Sequence, residues 1–119
     1  MSHDLSKGDR FEGGERLWRR IHPHFFKDGR MTSAAFSGFE MSVDIASVQK
    51  DMSVTLGADT GVAEFQVVAA QKLNQRTVAD PLPNNPAHAL VVGHKSKSVK
   101  RGLRDAATFH SRGTIMGTA

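Results

Sequence analysis

No cysteine occurs among the 119 residues. That excludes a disulfide framework and any zinc or iron–sulfur site built on thiolates. Tyrosine is absent too, and aromatic residues make up only 7%. A platform of stacked rings for single-stranded nucleic acid has little to be built from. No apolar run approaches the roughly 18–20 residues of a membrane span. The opening stretch MSHDLSKGDRFEGGE is polar and lacks the apolar segment of a secretory signal. The expectation is a cytoplasmic protein with no membrane role. Several catalytic spacings are also missing. Without GxxxxGK[ST] there is no nucleotide-hydrolysing phosphate loop, and without HxxxH or HExxH no histidine-pair metal site is prompted. Ser-His-Asp chemistry is equally unprompted, since no GxSxG elbow is present. No cofactor is called for.

What is present suits one small domain with its own core, at 39% apolar and 24% charged residues. Lysine and arginine outnumber aspartate and glutamate by 16 to 12. The distribution is uneven. Residues 16–30 carry +4 and residues 94–119 carry +5, flanking a middle that sums to −3. If folding brings the two basic blocks together, their fields add and favour an anionic ligand.

Periodicity gives an α+β domain over residues 15–110: a mixed sheet with a C-terminal basic amphipathic helix. A flexible arm is expected over 1–14 and a flexible tail over 111–119. Arg16–Ile21 alternates as a strand that Pro23 ends. Asp28-Gly29 marks a turn. Met41, Val43 and Ile45 alternate with Ser42 and Asp44 as a half-buried strand. Ser47 caps a helix over 48–56 that Gly57 ends. Residues 62–68 read as a strand, with 69–74 a helical turn or 62–74 a single helix. Thr77–Ala79 is a short strand. Asp80-Pro81-Leu82-Pro83-Asn84-Asn85-Pro86 is an extended loop, because proline fixes φ and removes donors. Residues 87–93 form a strand buried on both faces. Ser96 or Ser98 caps a last helix running to about His110.

Four constellations are candidates for chemistry. Arg19, Arg20 and His22 lie at a strand end, where a guanidinium grips phosphate or carboxylate and an imidazole moves a proton. The proline-stiffened loop offers Asn84 and Asn85 and leads to His88. Lys95 and Lys97 stand where a glycine turn enters a helix, a place that attracts anions. Lys97, Lys100, Arg101 and Arg104 form one helical stripe suited to a nucleic-acid backbone or an acidic protein.

The segments LWRRIHP and DPLPNNPAHALVVGHKSKS, with TSAAF and MSVD, resemble a family of short bacterial proteins that share RRIHP and DPLPxNPAHA and have no assigned activity. The resemblance covers residues 16–109. It implies a single small domain and supplies no catalytic residues. The strand arginine followed by a serine-containing stretch also resembles ADP-ribosyltransferase toxins, for which Glu40 and Glu64 are the available glutamates. The leading functional expectation is a domain binding an anionic partner: nucleic acid, nucleotide phosphate or an acidic protein. The alternative is a metal-independent phosphodiester- or nucleotide-directed enzyme. It would use His22 and His88 as acid and base, with arginine on the developing charge. Oligomeric state is not set by the sequence.

Overall fold

A computed structural model describes residues 11–117. Most of the arm expected over 1–14, and the last two residues of the tail, lie outside the described residues. The chain forms an α+β domain around a six-stranded antiparallel sheet in the order β6-β7-β4-β1-β5-β8. The strands are β1 (Arg16–Ile21), β4 (Glu40–Ile45), β5 (Gly61–Gln66), β6 (Arg76–Ala79), β7 (His88–Val92) and β8 (Thr108–Ser111). A separate hairpin pairs β2 (Phe26–Lys27) with β3 (Arg30–Met31). Its tip is Asp28-Gly29 with φ of 55° and 75°, the doubly left-handed turn that Asp-Gly favours in two-residue hairpins.

Alternation along the strands sorts side chains onto two faces. Leu17 and Ile21 of β1, Met41, Val43 and Ile45 of β4, Ala63 and Phe65 of β5, and Ala89 and Val91 of β7 make the main core. Phe36 meets Phe65 edge-on, with ring centroids 6.2 Å apart. Helix α4 (Lys97–Ala106) covers this face through Leu103, with Val99 packed beside it. Ser96 is its N-cap, accepting from the Val99 amide at 3.2 Å. The opposite face carries a smaller cluster of Trp18, Leu56 and Val62. It lies under α1 (Ala46–Gln49), α2 (Met52–Leu56) and α5 (Arg112–Met116), which pack on β1, β4 and β5. Helix α3 (Val67–Gln71) continues directly from β5 and turns into the main core through Val67 and Ala70. Of the two readings of residues 62–74, strand followed by a helical turn holds. Among the described residues, no helix is long and apolar enough to cross a membrane.

Four expectations change. The helix expected over 48–56 with Ser47 as cap is two short helices. Lys50 sits at φ 65° between them, and Asp51 caps the second by accepting from the Ser53 amide at 3.0 Å. Ser47 instead gives its hydroxyl to Glu15 at 2.6 Å. The last helix stops at Ala106 rather than His110, because Thr108–Ser111 adds to the sheet as β8 against β5. There Phe109 packs on Phe26, and His110 pairs with Glu64. Strand β7 is buried on one face only. Ala89 and Val91 are fully buried, while His88, Leu90 and Val92 are half-buried, because the helices of the second face reach β4 and stop short of β7. The proline loop folds back on itself, with Leu82 and Asn85 exchanging two backbone hydrogen bonds of 3.0 Å.

Candidate functional site

The uncovered part of the second face is a cleft of about 570 Å³ over β4, β7 and the end of β1. Its floor is the polar side of β4, Ser42 and Asp44. One wall is the proline loop with Asn84 and Asn85, continued by His88 at the start of β7. The other holds Trp18, Arg20 and Thr55, with Arg19 also reaching it.

Asp44 organises one end. Its carboxylate is buried and accepts three hydrogen bonds: from the Thr55 hydroxyl at 2.6 Å, the Asn85 amide at 2.9 Å and the Gln49 amide at 3.3 Å. The charge is met by neutral donors and by no cation among the described residues. Asn85 is thereby fixed to the sheet, and the loop is held against the cleft.

The arginines differ in role. Arg19 gives Nε to the Ala35 carbonyl at 3.1 Å and Nη1 to the Ser42 carbonyl at 2.8 Å. The β1–β4 ladder ends at Trp18↔Asp44, and just beyond it the Arg19 side chain takes up a β4 carbonyl. Burial, with the nearby Arg20 charge, lowers its pKa from the usual arginine value. Arg20 is the available cation. Its side chain is 58% exposed, and among the described residues only its Nε is engaged, with Asp59 at 3.3 Å. That leaves both terminal nitrogens for a ligand.

His88 sits between two partners. Its Nδ1 is 3.0 Å from both the carbonyl and a carboxylate oxygen of Asp80, and its Nε2 is 3.2 Å from Ser42 Oγ. Ser42, His88 and Asp80 therefore form one continuous chain of polar contacts, although the sequence has no motif for it.

Other expected site residues lie elsewhere. His22 does not line the cleft. Its Nδ1 accepts from the His24 amide at 3.2 Å, capping the turn at Pro23, and its ring lies against that of His24. His22 and His88 are thus not a pair. Lys95 points inward. Its ammonium is shared among the carbonyls of Val91 at 2.8 Å, Gly93 at 3.2 Å and Phe39 at 3.4 Å. Burial, helped by the Arg19 charge, lowers its pKa to about 8, and it is not a cleft residue. Lys97, Lys100, Arg101 and Arg104 belong to α4, which covers the main core on the other side of the sheet. Arg104 is tied to Asp105 at 3.1 Å. Glu64 is already committed, accepting from Trp18 Nε1 at 2.9 Å and pairing with His110 at 3.0 Å. Burial alone would raise its pKa. The hydrogen bonds from Trp18 and His110, with the charges of His110 and Arg16, hold it below the ordinary value. Among the described residues, no three histidine or acidic side chains gather as a metal site would require.

The sequence reading missed Ser42, Asp44, Thr55 and Asp80. Ser42 and Asp44 were visible as the polar positions of an alternating strand. Nothing local showed which strand and loop would stand over them. Compared with protein-family models, curated proteins and solved structures, the chain matches none.

Proposed function

We propose that this chain binds a small anionic ligand, carrying a carboxylate or phosphate, in the cleft beside Trp18, and that it does so in the cytoplasm. The observation that carries this reading is the convergence of Arg20, Asn84, Asn85 and His88 on one concave surface, from chain segments far apart in sequence. Arg20 supplies a forked donor for an oxyanion. Asn84 adds an amide with no hydrogen-bond partner among the described residues. The stiff loop reduces the entropy lost when the ligand is gripped.

Trp18 is the only tryptophan in the chain and lines the cleft, so its fluorescence reports occupancy without background. Titration with inorganic phosphate and with succinate is expected to give a saturable change. Neutral succinamide gives none, and Arg20→Gln removes the response. A flat titration with both anions overturns the reading.

A second reading concerns α4. Lys97, Lys100 and Arg101 form no ion pair among the described residues, so this stripe is free to meet a nucleic-acid backbone. Binding to duplex DNA that weakens steeply with salt supports it. Absence of binding at low salt removes it.

A further inference from the structure

Beyond anion binding, we infer that the cleft is a serine hydrolase centre with Ser42 as nucleophile, His88 as general base and Asp80 as the group that orients His88. The inference rests on the anion reading for its substrate class: a carboxylic ester whose acyl part carries a second anionic group.

The argument begins with the imidazole. His88 Nδ1 lies 3.0 Å from two oxygens of Asp80, the carbonyl and the carboxylate. Both are acceptors, so Nδ1 carries the proton. In the neutral ring Nε2 then holds the lone pair, and it faces the Ser42 hydroxyl at 3.2 Å. Nucleophile, base and orienting carboxylate thus stand in the order and at the distances such chemistry requires. Ser42 is exposed and opens into the cleft, whereas the His88 side chain is 16% exposed. A substrate can reach the hydroxyl while the ring stays fixed. The Asn84 amide and the terminal nitrogens of Arg20 are donors in the same cleft. In the inferred reaction the Asn84 amide serves the substrate's carbonyl oxygen as it becomes negative, and Arg20 serves the anionic tail.

The chemistry closes without a cofactor. Ser42 Oγ bonds to the ester carbonyl carbon as its proton passes to His88 Nε2. The adduct collapses by breaking the bond from that carbon to the alkoxy oxygen, which leaves with the His88 proton as an alcohol. Water then attacks the acyl-serine and gives a proton to His88. Ser42 recovers that proton, and a carboxylic acid departs. The whole sequence consumes one ester and one water.

The test uses the full chain with mono-(4-nitrophenyl) succinate and with neutral 4-nitrophenyl acetate, following 4-nitrophenolate. The wild type is expected to hydrolyse the anionic ester with at least tenfold higher kcat/KM. Ser42→Ala should lower kcat at least 100-fold while succinate still changes Trp18 fluorescence. A fluorophosphonate probe should add once, at Ser42, by mass spectrometry of peptides. Asp80→Asn should lower kcat with KM kept and shift the acid limb of the pH–rate profile. Arg20→Gln should raise KM for the anionic ester alone. If wild type and Ser42→Ala turn over both esters equally and no adduct forms on Ser42, the hydrolase inference is overturned. In that case a preserved fluorescence response leaves the anion reading standing, and its loss removes both.

Discussion

Replacing Asp44 by alanine tests whether the cleft is held together by one buried carboxylate. Two of its hydrogen bonds are short, to Thr55 at 2.6 Å and Asn85 at 2.9 Å, and the one to Gln49 is long at 3.3 Å. Hydrogen bonds to a charged group contribute about 1.5–3 kcal/mol each, and a buried donor left alone carries its own penalty. Against this, the substitution removes the cost of burying a carboxylate. The Asn85 amide, freed from the sheet, can turn to water through the cleft mouth, but Thr55 is only 7% exposed and cannot. The net expectation is a loss of about 3 kcal/mol. With an unfolding entropy of ~2.1 cal/mol/K per residue, that lowers Tm by roughly 12 °C. Asp44→Asn should cost less, about 1 kcal/mol. Its amide oxygen still accepts from Thr55, and Asn85 can flip at the expense only of its 3.4 Å contact with Gln49. Urea unfolding of wild type, Asp44→Ala, Thr55→Val and the double variant measures these values. The double variant should be more stable than the two single losses predict by at least about 1 kcal/mol, because both remove the same bond. An Asp44→Ala protein within about 0.5 kcal/mol of wild type, roughly one third of the smallest charged hydrogen bond, would show that this carboxylate does not hold the cleft.

Three further outcomes are expected. A methyl group on Gly61 would stand 2.4 Å from the Phe109 ring and 2.5 Å from the His110 carbonyl. Gly61→Ala should therefore cost about 1–3 kcal/mol by overpacking and loosen β8, read as faster amide exchange over 108–111. Leu103 is fully buried where α4 meets the main core, so Leu103→Ala should lose about 2–5 kcal/mol in urea unfolding. The pKa of Lys95 is about 8 in the fold against 10.5 for a free lysine. Between these values the unfolded chain binds the extra proton, so Lys95 makes stability rise as pH climbs from about 8 to 10.5. Unfolding curves across that range should show this rise in wild type and not in Lys95→Met. Parallel curves would show that the amine is not desolvated.

The local pieces were legible along the chain. Alternation placed β1 and β4, Asp28-Gly29 placed the hairpin turn, and Ser96 or Ser98 with Val99 and Leu103 placed the start and inner face of α4, the structure choosing Ser96 as the cap. Each of these is encoded within a few neighbouring residues, as periodicity, turn chemistry and capping are. Two errors were also local ambiguities: a capping aspartate splits 46–56 into two helices, and Thr108–Ser111 carries a pattern compatible with either state until β5 offers it an edge. The cleft was legible only as a list of residue types. Arg20, Asn84, Asn85 and His88 do meet. His22 turns away to cap its own turn, Lys95 is drawn inward by three carbonyls, and the basic helix lies across the sheet from them. Those outcomes depend on which strands become neighbours. The contact of Ser42 with His88 joins residues 46 apart because β4 and β7 pair, and that pairing is set by how the whole apolar face packs. Tertiary structure alone therefore decided that a serine on the polar side of one strand would face a histidine whose other nitrogen is held by Asp80.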